Sequence, residues 1–401
     1  MLLSAGFIPG TKWLINSTPH FIIFMKILLI CGSLEPGRDG VGDYSRKLKL
    51  EFVKQGHQVF LLALNDRHAN TLIENAAQKE ISEIRLPASM EARERFIKLQ
   101  DITEAFAPDW ISLQFVGYSF NKRAIVFDLA KQFGRLKISA NVHIMFHEIW
   151  QGESSDSMLK DKVIGFFQKR SAIAVVKALK PKCISTTNGY YQKSLLKAGI
   201  NTNKIPVFSN MPLGNGSRKK IHERLPADFR NNSTDYVLAC FFGGFHPHNL
   251  LAERIRQLSI SVNDQLNKKL IVTHAGKSAG IKEQFAELHE ETGIPMYVLG
   301  EWPENDIADY LGTCDVSLSN HPKVLFEKSG SIAAALYNQC PVIILRDGFA
   351  DDDQKRDEIE ELKYITDIKR FIDQDTGFAE KYSPENAAEQ YSAMFKLSVK
   401  L

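Results

Sequence analysis

The sequence predicts an α/β protein in which two doubly wound parallel sheets face each other across a cleft. Short apolar runs alternate with helical patterns twice along the 401 residues, and a stretch without a regular period separates the two series. Each series is typical of a Rossmann-like domain, whose ligands bind at the carboxyl ends of the parallel strands. We therefore expect the functional site in the cleft between the two domains.

The composition excludes several other classes of protein. With 44% hydrophobic and 24% charged residues, the chain is unlike disordered, collagen-like or coiled-coil sequences. None of its apolar runs reaches the roughly 18 residues that a membrane-spanning helix needs. The five cysteines are scattered and form no C-x-x-C pair, so we expect a reducing compartment, the cytoplasm, and neither a zinc knuckle nor a disulfide framework.

The first domain is predicted to span residues 25–208. Residues 1–24 are predicted to form an extension outside the core and show no signal-peptide pattern, and the apolar run 25–31 is predicted to be the first buried strand. The apolar runs predict further strands at 59–64, 110–114, 138–146 and 183–186, and the helical patterns predict helices at 44–55, 90–106, 121–133 and 157–179.

A linker at 209–234 precedes the second domain, 235–375, and a helical segment, 376–401, is predicted to pack back on the first domain. In the second domain the patterns predict strands at 236–242, 270–273, 296–299, 316–318 and 341–345, and helices at 252–262, 281–291, 307–312 and 329–337.

The charge is distributed unevenly between the two halves. Residues 1–205 carry 28 basic and 18 acidic groups, a net charge of +10, whereas the remainder carries 22 and 29, a net charge of −7. Residues 160–182 alone hold seven basic residues interleaved with apolar ones. One hypothesis is a peripheral contact with an anionic membrane at its inner face. The alternative is that the apolar residues pack into the fold while the lysines stay in water. We expect no nucleic-acid partner.

A glycine-rich loop lies between the first strand and the first helix. Gly37, Gly40 and Gly42 give the spacing G-x-x-G-x-G, which differs from the dinucleotide fingerprint G-x-G-x-x-G. Glycines there allow a tight turn and bring backbone N–H groups near a ligand. We favour contact with substrate over a purely structural turn. Asp66, at the end of the second strand, offers a third interpretation as the ribose-binding acid of an NAD site.

His147 and Glu148 follow a predicted strand and enter the cleft at its carboxyl end. Strand alternation puts His143 and His147 on one face, but about 13 Å apart, too far to share a metal ion. The alternative for His147 is a structural histidine.

Lys328, Ser329, Gly330 and Ser331 open a helix that follows the strand at 316–318. Free N–H groups and the helix dipole at such a terminus, with the lysine charge, suit a diphosphate. Ordinary helix capping by Ser329 or Ser331 is the alternative. The acidic run at 351–353 can be a D-x-D metal clamp, but first-turn acids that favour the helix dipole explain it more simply.

Together these motifs resemble those of the two-domain glycosyltransferases of the B fold, particularly the retaining, nucleotide-sugar-dependent family 4 type. The resemblance covers most of residues 25–345 and rests on the order of short motifs at 40–45, 56–59, 146–148, 242–244, 299–302 and 326–342.

The resemblance implies that the first domain binds a glycan or lipid-linked acceptor. The second domain then binds a nucleotide-diphosphate-sugar, which is a substrate rather than a cofactor, and no metal is required. The implied catalytic pair is His147, which steadies the transferring sugar, and Glu327, which meets the donor sugar. The implied donor-binding residues are Gly243, Gly244, His246, Trp302, Lys328, Ser329, Gly330 and Ser331, and the acceptor-side residues are Gly40, Gly42, Asp43, Tyr44, Glu148 and Trp150.

Two departures from the family pattern affect the donor site. The second glutamate of the family, which grips the ribose, falls at Ala335 or Ala334, and the basic pair after the Gly-Gly turn is replaced by His246-Pro247-His248. We expect a glycosyltransferase of polysaccharide biosynthesis. The alternatives are a non-catalytic nucleotide- or carbohydrate-binding paralogue and an NAD-dependent Rossmann enzyme.

Overall fold

Two separate, mostly parallel sheets form the framework of the protein, and the predicted fold class is confirmed. The computed structural model describes residues 24–77, 80–153, 157–215, 222–346, 359–362, 365–374 and 377–399. Among them is no helix that combines the length and the apolar character needed to cross a bilayer.

The first sheet has the order β3-β4-β2-β1-β5-β6-β7-β8, and its strands are parallel except for β3, which runs antiparallel to β4 at one edge. Its central strands are almost entirely buried and largely apolar, as expected where helices cover both faces of a sheet. The strands are β1 (Lys26–Cys31), β2 (Gln58–Asp66), β3 (Ile73–Ala77), β4 (Glu80–Pro87), β5 (Trp110–Phe115), β6 (Asn141–Phe146), β7 (Cys183–Thr186) and β8 (Asn203–Lys204).

The helices of this domain follow the strands as crossovers. They are α1 (Gly40–Lys54), α2 (Ala92–Phe106), α3 (Gly117–Phe120), α4 (Phe127–Phe133), α5 (Leu159–Leu179) and α6 (Gly189–Lys197).

The second sheet is parallel throughout and has the order β11-β10-β9-β12-β13-β14, the strand order of a Rossmann domain. Its strands are β9 (Tyr236–Phe242), β10 (Lys269–Ala275), β11 (Met296–Gly300), β12 (Val316–Ser319), β13 (Val342–Ile344) and β14 (Glu360–Glu361). Its helices are α7 (Ala227–Asn231), α8 (Leu251–Leu266), α9 (Ile281–Thr292), α10 (Glu304–Leu311), α11 (Gly330–Tyr337) and α12 (Ile368–Ile372), with short 3₁₀ turns at Ser233–Asp235 and Lys323–Lys328.

Part of the predicted linker, 209–234, belongs to the second domain. Leu225 and Phe229 are buried in the core of the second domain, so the chain from residue 222 onward belongs to that domain. The sequence conceals this because Phe229 lies on a helix of five residues and Leu225 lies in the bend just before it, and neither stretch is long enough to show a period.

The chain passes between the domains twice. After β8 it enters the second domain, and after Tyr382, which lies in the second core, it returns to form α13 (Pro384–Val399). This helix lies on the first domain, where Phe395 stacks on Trp110 with ring centroids 4.4 Å apart. The two crossings run side by side, because the backbone N–H of Ser209 donates to the carbonyl oxygen of Tyr382.

Candidate active site

Two adjoining cavities lie between the domains. The first, here called the histidine cavity, has a volume of about 370 Å³, and the second, the glycine cavity, about 630 Å³. Both fall in the size range of small-molecule sites, and Asn210 lines both. The histidine cavity is lined mainly by the first domain and the glycine cavity by both domains.

Nine of the residues to which the resemblance assigns a role line the cavities. Six of them line the histidine cavity, namely Gly40, Tyr44, His147, Glu148, Lys328 and Gly330, and three line the glycine cavity, namely Asp43, Gly243 and Trp302.

His147 follows β6 at the carboxyl end of the first sheet. Its Nε2 lies 2.9 Å from the side-chain oxygen of Gln114, which in turn donates from its nitrogen to Ser112. Burial lowers the pKa of His147 to about 3, so the ring is neutral at physiological pH. With Gln114 as acceptor, the proton of the neutral ring belongs on Nε2, which leaves Nδ1 as an acceptor.

Tyr44 packs beside this histidine with ring centroids 4.8 Å apart. It stacks on Phe208, and its hydroxyl lies 3.2 Å from that of Tyr391 on α13. Burial raises the pKa of Tyr44, which keeps the phenol protonated. Tyr44 therefore joins the cleft wall to the helix that returns from the second domain.

In the glycine-rich loop, packing requires a glycine at position 42 but not at position 40. A Cβ on Gly42 would lie 2.4 Å from the carbonyl oxygen of Ser33, whereas a Cβ on Gly40 would meet nothing within 4 Å. The carboxylate of Asp39 caps α1 by accepting from the N–H groups of Val41 and Gly42. Two of the first N–H groups of α1 are thus already satisfied by the protein itself, and Gly42 allows the helix to approach the segment that follows β1.

Asp43 belongs to the same loop but faces the glycine cavity. Its carboxylate accepts from the backbone N–H of Gly37 at 3.1 and 3.2 Å. Burial raises the pKa of Asp43, partly offset by that hydrogen bond.

Lys328 reaches across the histidine cavity from the second domain. Its Nζ lies 3.4 Å from a carboxylate oxygen of Glu148 and donates to the hydroxyl of Tyr191 at 3.1 Å. Burial alone lowers the pKa of Lys328, but Tyr191 and Glu148 outweigh it and the pKa lies above its usual value. The lysine is therefore a stable cation, and its partners lie on the other domain.

The start of α11 lies beside Lys328. Ser329 caps the helix, its hydroxyl accepting from the N–H of Ile332 and lying 3.0 Å from the Ser331 hydroxyl. The N–H groups of Gly330 and Ser331 precede the helical hydrogen-bond ladder. The Gly-Gly turn is close by, because a Cβ on Gly243 would lie 3.9 Å from that of Ser331. Gly243 itself has a φ of 81°, which favours glycine.

Glu327 points away from the cavities. Its two carboxylate oxygens accept from Lys204 Nζ at 2.6 Å and from the backbone N–H of Gly189 at 3.3 Å, both on the first domain. It lines neither of the two cavities. In this conformation the residue predicted to meet the donor sugar instead joins the domains, one position before Lys328.

The remaining predicted residues lie away from the cavity linings. Trp150 packs in the first core, where it donates to Glu153 and Lys169 lies 5.0 Å above its ring. Its side chain is therefore not placed to contact an acceptor. His246 is exposed, 6.3 Å from His321 between ring centroids, and a Cβ on Gly244 would lie 3.4 Å from its ring.

Trp302 lies at the far side of the glycine cavity. Its indole N–H donates to the carbonyl oxygen of Leu299, and the Arg224 guanidinium lies 5.1 Å from its ring centroid. The ring is half-buried, so its exposed part offers a flat apolar surface to a ligand.

Asp66 is engaged within its own domain. Its carboxylate accepts from Ser33, Leu34, His68 and Arg85 and is fully buried. Burial raises its pKa, but Arg85 and the other donors outweigh this and hold it at about 2. No acceptor capacity is left for a ribose, so the geometry does not favour the NAD interpretation.

Among the described residues there is no group of three or more histidine, cysteine, aspartate or glutamate side chains arranged to hold a metal ion. The acidic run at 351–353 lies outside the described residues.

Solved structures similar to this one match it over both domains and cover more than nine tenths of the chain. No protein-family model and no curated protein sequence matches the chain. The structure of Anabaena Alr3699/HepE in complex with UDP and glucose matches with a TM-score of 0.53 at 14% identity, over 94% of this chain and 98% of that one. A glycosyltransferase from Rickettsia africae matches with a TM-score of 0.56 at 11% identity, over 94% and 99%. UDP-GlcNAc 2-epimerase from Methanocaldococcus jannaschii matches with a TM-score of 0.53 at 12% identity, over 93% and 100%.

The fold is the glycosyltransferase B fold. Because a transferase and an epimerase both match, the fold by itself does not decide the reaction.

The two positions at which the resemblance puts the second glutamate of the family, Ala334 and Ala335, both lie on α11. Ala334 and Ala335 are buried in the second core. A longer side chain at either position would have to displace core residues, so in this chain the ribose contact cannot come from here.

Sequence reasoning missed three residues of the cleft. Tyr191 and Lys204 hold Lys328 and Glu327 across the domain boundary, and Asn210 lines both cavities. The Asn210 side-chain oxygen is buried and has no hydrogen-bond partner within the described structure. No sequence motif marks these three residues. Their place in the cleft becomes visible only when the two domains are docked against each other.

Proposed function

We propose that the protein is a glycosyltransferase that moves a sugar from a nucleotide-diphosphate-sugar to a carbohydrate or lipid-linked acceptor, with retention of configuration and without a metal ion. The observation that carries this proposal is that Lys328 and the start of α11 face His147 across the histidine cavity. A cation, free helical N–H groups and a neutral histidine are the groups that a departing diphosphate and a reacting sugar require.

The donor diphosphate is proposed to replace Glu148 as the partner of Lys328. That carboxylate is 40% exposed and its contact with Lys328 is long, so a phosphate oxygen can take its place without leaving the lysine unpaired. The N–H groups of Gly330 and Ser331 would then receive the charge that develops as the bond to the sugar breaks.

The nucleoside is proposed to occupy the glycine cavity. Gly243 and Gly276 leave room for a ligand beside the second sheet, and Trp302 offers a surface for stacking. Ribose hydroxyls would find acceptors in the carboxylates of Asp43 and Glu301, which line the same cavity, in place of the second glutamate of the family.

His147 is proposed to hold the transferring sugar. Because the ring is neutral, it accepts a hydrogen bond from a sugar hydroxyl at Nδ1 and does not act as a proton donor through an imidazolium. Glu327 is proposed as a positioning residue. The ion pair between Glu327 and Lys204 holds the segment that carries Lys328 against the first domain.

A non-catalytic binding protein of the same fold is the second candidate. It is favoured by one observation, that the carboxylate of Glu327 is engaged by Lys204 and Gly189 and not exposed to the cavities. We place the protein in the cytoplasm, a location supported by its five free, buried cysteines.

A panel of nucleotide-sugars, screened by thermal stabilisation and then for sugar release, tests the proposal. A ligand at about 100 times its dissociation constant stabilises by about 2.7 kcal/mol, a clear shift in melting temperature. Slow hydrolysis of the stabilising donor, accelerated by an acceptor, is the expected result. Binding without turnover would favour the non-catalytic candidate, and release of a free epimerised sugar or nucleotide would point to the chemistry of the epimerase. An absorbance change on NADH titration would support the NAD enzyme instead.

A further inference from the structure

Helix α5 has apolar side chains on two opposite faces. One face carries Gly165, Ala172 and Val175 into the first core, as expected for a helix that covers a sheet. The other face carries a stripe at helical spacing that the domain does not cover. Its members, together with the residue before the helix, are Met158, Leu159, Val163, Phe166 and Phe167, with exposures from 46% to 79%.

This stripe is a contiguous patch and not a set of scattered surface residues. Leu159, Val163, Phe166 and Phe167 follow the i, i+4, i+7, i+8 pattern, which places them on one side of the helix. The rings of Phe166 and Phe167 contact each other, with centroids 5.5 Å apart. Exposed apolar patches of this kind mark sites of interaction.

Cations border the stripe. Arg170 lies over the ring of Phe166 at 5.2 Å, and Lys160 and Arg123 line a shallow groove of about 700 Å³ together with Leu159 and Val163. The one acid on this helix, Asp161, faces Gln151, from whose side-chain nitrogen it accepts. The surface therefore combines exposed aromatic rings with net positive charge.

We propose that this face of α5 docks on an anionic lipid bilayer, with the aromatic stripe in the interface and the basic groups on lipid phosphates. An amphipathic helix of this composition binds anionic membranes through the burial of its apolar side chains and through the attraction of its basic groups to lipid phosphates. A second copy of the chain fits less well, because a two-fold contact through this face would bring the same cations together.

The docking surface adjoins the cleft. The segment that carries His147 and Glu148 precedes α5 in the chain, and Gly165 of α5 lies against Gln151 of this segment, since a Cβ there would lie 1.9 Å from the Gln151 carbonyl oxygen. Tyr118, next to Ser119 in the lining of the histidine cavity, donates to Gln151. A bilayer on α5 would thus lie beside the first-domain side of the cleft, where a lipid-linked acceptor would enter.

Sedimentation of the full chain with vesicles tests the proposal without relying on sugar transfer. The probes are vesicles of phosphatidylcholine mixed with phosphatidylglycerol and vesicles of phosphatidylcholine alone, at low and high salt. The wild type is expected to sediment with the anionic vesicles at low salt and to be released at high salt, since screening shortens the Debye length from about 10 Å to about 3 Å.

Two variants separate the apolar contribution to vesicle binding from the electrostatic one. Phe166→Ser with Phe167→Ser is expected to lower vesicle affinity tenfold or more, and Lys160→Ala with Arg170→Ala about fivefold for each charge. The matched control is Ile260→Ser on α8 of the second domain, where the side chain is 59% exposed, and it is expected to bind like the wild type.

Three results would overturn the proposal. In the first, the wild-type protein stays in the supernatant with every kind of vesicle. In the second, the variant with both phenylalanines replaced binds vesicles as the wild type does. In the third, the wild type forms concentration-dependent dimers that this variant does not form. Since all three are read without a donor, they are independent of whether the protein transfers a sugar.

Discussion

The two walls of the cleft are built from the same strand–loop–helix unit, yet their polar groups are satisfied differently. On the first-domain wall the helix start at Gly40 is capped by Asp39 and His147 is bonded to Gln114, all within that domain. On the second-domain wall the start of α11 keeps N–H groups free, and Lys328 finds its partners only on the other domain. The capped N–H groups and the histidine of the first wall thus have their partners within their own domain, whereas the second wall has donors to offer to an anion.

The sharpest way to test the first wall is to remove its histidine. His147→Ala is expected to lower turnover by about 10²–10³-fold, the typical effect of losing one hydrogen-bonding group at the reacting centre. Donor affinity, measured by calorimetry, should change little. The exposed His68 provides the control, since His68→Ala should leave turnover unchanged. A lower melting temperature with unchanged activity per folded molecule would make His147 structural.

The second wall is tested through its lysine. Lys328→Ala is expected to weaken nucleotide diphosphate binding by about 10- to 150-fold, because a charge-assisted hydrogen bond contributes roughly 1.5–3 kcal/mol. Titration calorimetry with the free nucleotide measures this loss directly. Lys282→Ala, at an exposed site on α9, is the matched control. Equal affinities in the two variants would move the phosphate site elsewhere in the cleft.

A pair of glycines separates packing from ligand contact on the first wall. Gly42→Ala is expected to lower the free energy of unfolding by about 1–3 kcal/mol, because the new methyl group collides with the Ser33 carbonyl oxygen. Gly40→Ala should change it by less than about 0.5 kcal/mol, since its Cβ meets nothing. Urea unfolding of both variants checks the difference. Equal stabilities would mean that α1 does not need its close approach to the segment after β1.

Acid should destabilise the first wall gradually. Burial lowers the pKa of both His143 and His147 to about 3, whereas in the unfolded chain each binds a proton near pH 6.5. The stability they contribute is therefore complete above pH 6.5 and is lost as the pH falls from 6.5 to about 3. The expected slope approaches about 1.4 kcal/mol per pH unit for each histidine, measured by urea unfolding at a series of pH values.

The same histidines can be followed one at a time. In the folded protein, the ring proton resonances of His143 and His147 should not titrate between pH 5 and pH 7. A midpoint near pH 6.5 for either one would mean that its ring is open to water.

Strand and helix patterns predicted most of the fold, because buried parallel strands are apolar runs that local sequence reveals. The strand at 183–186 was predicted with the bounds the structure gives, and the strand at 236–242 likewise. The β3–β4 pair was missed, since Glu80–Pro87 carries charged residues between apolar ones and lies towards the sheet edge. The helix predicted at 121–133 is shorter, because Ala124 adopts a φ of 54° and only Phe127–Phe133 is helical.

The site was predicted less completely than the fold. A motif at a strand end identifies a loop that reaches the cleft, as with Glu148 and Gly330, but it does not say which way each side chain turns. Glu327 turns to Lys204, 123 positions away in the chain, and only the docking of the two domains creates that pair. Trp150 likewise follows the cleft loop but packs inward.

The return of α13 to the first domain has a consequence for the order in which the protein can fold during synthesis. Tyr391 and Phe395 complete the core around Tyr44 and Trp110, yet all the described strands of the second sheet are translated before them. A nascent first domain therefore leaves the ribosome with an uncovered apolar face and cannot close it until the second domain has emerged. The later domain has the opportunity to fold first, and the earlier one is completed afterwards, when α13 packs on it.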